Sequence, residues 1–260
     1  MNRVVLVALV LAAAGAAHAS PPSNPAFLGV GMDDYRNVCI VSSVTEGSPA
    51  EDSGIALQDL VEAVDGVATA SCTEVTDQII AHAPGDKIEI VVMRGGGQRV
   101  RLHPVLTSRT EVLQRRYVGK PVPDFDITGY DDGQPVDLAR PSSETRVLAW
   151  FDVHHCEGCA PLLERVGSKA KLEVITYGDS KHLATDRVGA KLGVPVALFR
   201  DVDEFRRTAM GESDRIYFMV VDCHGIVRFV VPIVPDADDA DAAIDDVLAA
   251  VDQTQHAHLR

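Results

Sequence analysis

The chain is short of positive charge. Its 24 lysines and arginines stand against 38 aspartates and glutamates, a formal charge of −14 over 260 residues. Such a surface repels nucleic-acid phosphates and anionic headgroups, so neither nucleic acid nor an acidic lipid surface is an expected partner. Cysteine is scarce too. Five are too few for a disulfide-built scaffold, and their odd number leaves at least one unpaired or reserved for exchange. Beyond the first 19 residues no apolar run is long enough to span a bilayer. No cofactor is expected.

What is present begins at residue 1. One arginine precedes an apolar, small-residue stretch, MNRVVLVALVLAAAGAAHA, that closes on Ala17-His18-Ala19, an A-x-A cleavage pattern. Residues 1–19 are expected to be a secretory signal peptide, with a periplasmic or secreted mature chain starting at Ser20. No cysteine lies near the cut, which argues against a lipid anchor. Removing Arg3 with this segment takes the charge from −14 to −15 and leaves nothing that would insert into a membrane. The remaining length, about 240 residues, exceeds the usual single domain and sets two domains as the expectation. An apolar fraction of 46% is ample for both cores.

From Phe27 to about Leu106, short runs alternate with turn signals. LGVGM, NVCIVSSV, LVEAVDG, KIEIVVMR and QRVRLHPV read as strands, the last two joined through Gly95-Gly96-Gly97. SPAEDSG reads as a helical turn capped by Ser48 and ended by Gly54. TEVTDQIIAHAPG reads as an amphipathic helix with Val75, Ile79 and Ile80 apolar and Pro84-Gly85 as its stop. In this order, FLGV at 27–30, EGSPAEDSGI at 46–55, DLVEAVDG at 59–66 and PGDKIEIVVMR at 84–94 resemble a bacterial-type PDZ domain over residues 26–108. Gln58 departs from the pattern, where that family usually carries glycine.

The resemblance implies a β-rich α+β barrel with a peptide groove. An extended peptide adds to such a groove as a strand, and backbone N–H groups hold its terminal carboxylate. Phe27, Leu28, Gly29 and Val30 match the carboxylate loop, and Gly29 has no side chain to block the approach. Ile79 and Ile80 match the pocket wall. The competing reading is that the same apolar residues are simply core. The implied partners are exported proteins or peptides with exposed C-termini or disulfides.

Residues 109–117, RTEVLQRRY, are polar and basic and read as an interdomain linker or a short connecting helix. Past them, RVLAWF, KLEVITYG, RIYFMVVD and IVRFVVPIV read as strands, the last two joined by the turn Asp222-Cys223-His224-Gly225. APLLERVGSK, HLATDRVGAKLG and DADDADAAIDDVLAAVDQ read as helices, the last with Ile244, Val247, Leu248 and Val251 at helical spacing. Pro123-Asp124-Phe125, the Asp-Gly turn after it and a Cys-x-x-Cys pair between strand and helix resemble periplasmic thioredoxin-like oxidoreductases and their peroxiredoxin relatives. The resemblance implies a thioredoxin-like α/β sandwich over residues 118–253.

In that fold Cys156 stands where a strand gives way to a helix, whose N-terminal N–H groups and dipole favour the thiolate. Cys159, one turn along, is placed to resolve a mixed disulfide. His155, next to His154, supplies positive charge or shuttles a proton, while Glu157 pushes the other way. The expected function is therefore thiol–disulfide exchange on exported clients recruited through the PDZ groove, with a periplasmic redox partner. Three departures weigh against strong activity. His155 replaces the family's usual tryptophan, Asp214-Arg215-Ile216 lacks its proline, and Pro161 follows Cys159 closely.

Peroxidase chemistry is a runner-up that Ala149 and Val153 argue against, standing where P-x-x-x-T-x-x-C needs Pro and Thr. The rivals are a zinc or copper site from His154, His155, Cys156 and Cys159, and a non-catalytic adaptor built on a thioredoxin-like scaffold. A static disulfide is the plain alternative for the pair. Cys39 and Cys72 read as buried small hydrophobes, with a bridge between them left open, and Cys223 as the odd one out.

Overall fold

The computed structural model describes residues 25–130, 132–152, 158–177, 194–199, 210 and 214–257. The N-terminal region runs β1 (Ala26–Phe27), β2 (Val30–Tyr35), β3 (Val38–Val44), α1 (Pro49–Ser53), β4 (Leu60–Val64), β5 (Val67–Ala68), α2 (Cys72–Ile80), β6 (Ile90–Arg94), β7 (Gln98–Leu102) and β8 (Thr107–Ser108). Strands β2-β3-β4-β6-β7 form one antiparallel sheet in that order, with β5 paired to β4. Strand β1 pairs separately with β8 and draws the two ends of the region together. Alternation puts Cys39 and Val41 of β3 and Ile90 and Val92 of β6 in one core with Leu28, Val75 and Ile79.

The expected barrel does not close. Among the described residues β2 bonds only β3 and β7 only β6, so the sheet is open at both edges. Helix α2 packs against β1, β2, β3 and β4. Gln58 takes the left-handed conformation at φ +67°, which costs about 1–2 kcal/mol for a residue with a side chain. The turn holds because Gln58 N–H donates to the Val41 carbonyl at 2.8 Å and the buried Asp59 carboxylate pairs with Arg94 at 2.9 Å. That hydrogen bond to Asp59 raises the Arg94 pKa above its ordinary value.

Cys39 and Cys72 are disulfide-bonded across a sequence separation of 33, tying β3 to the first residue of α2. The same helix end is held a second way, since the Cys72 N–H donates to Asp34 Oδ1 of β2 at 2.8 Å. The reading of both cysteines as packing residues is thus completed by a bridge, and Cys223 is outside any disulfide.

The remaining elements are α3 (Arg109–Tyr117), β9 (Ile127–Gly129), β10 (Arg146–Asp152), α4 (Cys159–Gly167), β11 (Lys171–Tyr177), β12 (Val196–Phe199), β13 (Ile216–Val221), β14 (Val227–Ile233) and α5 (Ala240–Ala257). They build a second sheet in the order β14-β13-β10-β11-β12-β9, with β10, β11 and β12 parallel and the other neighbours antiparallel. Val147, Ala149 and Phe151 of β10 face α4 and α5. Leu148 and Trp150 face the opposite core, where Leu113 and Tyr117 of α3 pack. Burial on both faces explains why β10 and β13 read as unbroken apolar runs.

Residues 109–117 therefore form a packed helix. Ser108 and Glu111 close a capping box at its start, and hydrogen bonds from Thr107 and Ser108 hold the Glu111 pKa below its usual value. At its end, burial pushes the Tyr117 phenol up to about 12.

At the β13–β14 turn the Asp222 carboxylate accepts the N–H groups of His224 (2.8 Å) and Ile226 (3.0 Å) and pairs with Arg228. Burial pushes the Asp222 pKa up, but the donors from Ile226, Arg228 and His224 outweigh it and the net shift is downward. A folded value below the unfolded one adds stability that is complete above about pH 4 and is lost as pH falls through the folded value. Thermal unfolding between pH 7 and pH 2.5 is expected to show an acid loss in the wild type that is smaller in Asp222→Asn; identical acid slopes would contradict this. Separately, replacing Cys39 and Cys72 together by alanine is expected to lower the urea-unfolding free energy by about 3–4 kcal/mol, and an unchanged midpoint would contradict the bridge.

Candidate peptide-binding cleft

The cleft lies between the free edge of β2 and helix α2, and is built outward from the loop at 27–30. Gly29 has φ +88°, a conformation a side chain resists, and a Cβ there would meet the Ser48 Cβ at 2.2 Å. Ser48 is fully buried, caps α1 and places its hydroxyl 3.4 Å from the Gly29 carbonyl. The loop carbonyls are bound inward. The Leu28 carbonyl accepts the Ala50 N–H at 2.9 Å and the Gly29 carbonyl accepts the Thr45 N–H at 2.8 Å.

That inward bonding decides where the N–H groups go. In a trans peptide unit the N–H points opposite to the carbonyl. The Gly29 N–H is opposite the Leu28 carbonyl, and the Val30 N–H opposite the Gly29 carbonyl. Both therefore point away from α1 and β3, to the open side. The pairing agrees: the Thr45 bond to Gly29 makes Val30 and Val44 a non-hydrogen-bonded pair, so the Val30 N–H is not directed at β3. Two adjacent N–H donors beside an open strand edge can receive an anionic oxygen and extend into a β ladder.

The apolar part follows. Phe27, Leu28, Val30, Met32, Thr76, Ile79 and Ile80 line a cleft of about 220 Å³. The structure thus brings together all six residues that the sequence pattern assigned to peptide contact. Ile79 is nearly buried and shared with the core, whereas Ile80 is half-exposed and borders the opening. Met32 and Thr76 were not singled out, although Met32 lies two residues from Val30 on the same strand face and Thr76 one helical turn before Ile80. Arg109 and Arg215 also line the cleft. No local pattern signals them, because they arrive from α3 and from the entry to β13.

The Cys-x-x-Cys pair is elsewhere. Cys156, His155 and His154 lie outside the described residues. Cys159 is the first residue of α4, disulfide-bonded and 1% exposed, and it packs into the core beneath α4 and α5. Gly158, which precedes it, is covered by Pro235 and Asp236, whose atoms lie 2.7 and 2.8 Å from where its Cβ would be. Among the described residues no three His, Cys, Asp or Glu side chains are grouped to hold a metal ion. No helix among them is long and apolar enough to cross a membrane.

Comparison with known proteins bears on the cleft. Residues 26–100 match the family described as PDZ domain. Over 70 residues the chain is 36% identical to the serine endoprotease DegS of Escherichia coli K12, covering 27% of this chain and 19% of DegS. Over 107 residues it is 31% identical to the zinc metalloprotease RasP of Shouchella clausii, covering 38% of this chain and 25% of RasP. The chain thus spans a quarter or less of the length of these relatives. Among solved structures, the HtrA3 PDZ domain bound to a phage-derived ligand (FGRWV) aligns at 18% identity and TM-score 0.29, over 33% of this chain and 88% of that one. These relatives are proteases carrying the PDZ-like segment, and they overturn the expectation of a thiol–disulfide oxidoreductase.

The loop geometry is open to a direct check. Gly29→Ala is expected to cost about 2 kcal/mol or more through its φ and its collision with Ser48, seen as a lower melting temperature; an unchanged melting temperature would refute the close approach. The residues that build this cleft, its open β2 edge and the family match together support a PDZ domain at residues 26–100.

Proposed function

We propose that this chain is an exported peptide-recognition protein that captures the C-terminal ends of other proteins in a setting related to proteolysis. The observation that carries the reading is the pair of N–H groups at Gly29 and Val30, turned outward beside an apolar cleft and an open strand edge. A peptide entering with its carboxylate at Gly29 runs antiparallel to β2 and seats its last side chain against Ile79, Ile80 and Met32. Peptide binding supplies affinity through backbone bonds and selectivity through that one pocket. The protease relatives DegS and RasP support the proteolytic setting. Export is supported by the signal-like N-terminus and by the Cys39–Cys72 bridge, which belongs to an oxidising compartment.

We further infer that residues 109–117 connect the PDZ domain at 26–108 to a thioredoxin-like domain at 118–253, serving here as a scaffold. Its support is the mixed sheet, with β10 central, parallel neighbours on one side and an antiparallel hairpin on the other, and helices α4 and α5 on one face.

Calorimetric titration tests the cleft. A hexapeptide ending in valine with a free carboxylate is expected to bind saturably at micromolar concentration. Ile80→Ser, at a half-exposed position that leaves the core intact, is expected to weaken it about fivefold by removing apolar contact. Absence of saturable binding for every apolar-ended peptide would refute the reading.

A further inference from the structure

The cleft is not completed by the PDZ domain alone. Arg109 and Arg215 line it from outside residues 26–100. Arg109 is the first residue of α3, fixed behind the Ser108–Glu111 capping box, and its guanidinium lies 4.1 Å from the centre of the Phe27 ring at the head of the loop. It is 9% exposed. Arg215 leads into β13 with its side chain 13% exposed and its Nε 3.4 Å from Asp214 Oδ1. The two arginines sense each other: burial lowers the Arg109 pKa, Tyr217 counters it, Arg215 lowers it further and Asp214 opposes Arg215. Among the described residues that line the cleft, none is acidic. In a chain of formal charge −14, this places cations where an anion is to be received.

We propose that Arg109 and Arg215 complete a composite carboxylate site with the Gly29 and Val30 N–H groups, so that the end of a bound peptide is held jointly by the PDZ domain and the region that follows it. The proposal rests on the cleft being a C-terminal peptide site. Backbone N–H groups are neutral donors and donate to the carbonyl of an amide-ended or internal segment nearly as well as to a free end. A guanidinium adds charge-assisted bonds that only a carboxylate repays in kind. Arg109 serves double duty, since stacking on Phe27 holds the loop against the start of α3. A captured C-terminus therefore bridges β2, α3 and the entry to β13, and binding stabilises the contact between the two regions.

Fluorescence anisotropy on the purified chain distinguishes the possibilities, using a labelled hexapeptide ending in valine as its free acid and as its C-terminal amide. The wild type is expected to prefer the acid. Arg215→Gln is expected to weaken the acid about tenfold while leaving the amide within about twofold, and to flatten the salt dependence. Arg109→Gln is expected to act the same way, read beside its melting temperature because Arg109 also packs on Phe27; Arg215→Gln decides the matter. If Arg215→Gln binds both peptides as the wild type does, or loses both equally, the composite site is wrong and the cleft reading stands. If the wild type binds neither peptide, both are wrong.

Discussion

The peptide site proposed for this chain depends on two backbone hydrogen bonds. By accepting from Ala50 and Thr45, the carbonyls of Leu28 and Gly29 fix the orientation of two peptide planes. Planarity then leaves the next two N–H groups no direction but outward. A residue other than glycine at position 29 would collide with Ser48, so the pose rests on a single missing side chain. The surrounding framework keeps those planes in place. Ser48 caps α1 from a fully buried position, and β1 pairs with β8 so that the loop is anchored on both sides.

Around that loop the remaining structure acts as a clamp with one fixed and one open end. The Cys39–Cys72 bridge and the Asp34 contact fix the N-terminal end of α2 to β3 and β2. The other end of α2, with Ile79 and Ile80, borders the loop and the cleft mouth. A helix tethered at one end sets the width of the groove along β2 without covering the strand edge. An uncovered edge is a hazard in most proteins, since it invites pairing with any extended chain. Here the short length of β2 and the exposed acids Asp33 and Asp34 at its far end limit that risk. The second sheet reaches this clamp through α3, whose first residue touches Phe27 and whose later residues enter another core.

Much of the N-terminal half was legible in the sequence because its signals are local. Ser48 and Gly54 mark element ends by chemistry that needs no tertiary context, and the structure bears them out as the caps of α1. The cleft residues came from the order of motifs along the chain. The expected barrel failed because closure depends on whether two distant strands bond, which alternation within each strand does not encode. RTEVLQRRY read as polar, yet Val112, Leu113 and Tyr117 at helical spacing carry it into a core. Its arginines concealed the stripe. Arg109 and Arg215 were invisible for a related reason, since neither stands near the loop in sequence. The oxidoreductase reading took a Cys-x-x-Cys spacing as chemistry, and the protease relatives overturn it.

The central claim is that Gly29 and Val30 present their N–H groups to an incoming carboxylate. Amide-resolved NMR of the isotope-labelled chain, titrated with a free-acid peptide ending in valine, addresses it most directly. The account predicts that the Gly29 and Val30 amide protons move downfield and that their exchange with solvent slows as the peptide saturates. Unmoved Gly29 and Val30 resonances, with the changes clustered on another surface, would contradict it.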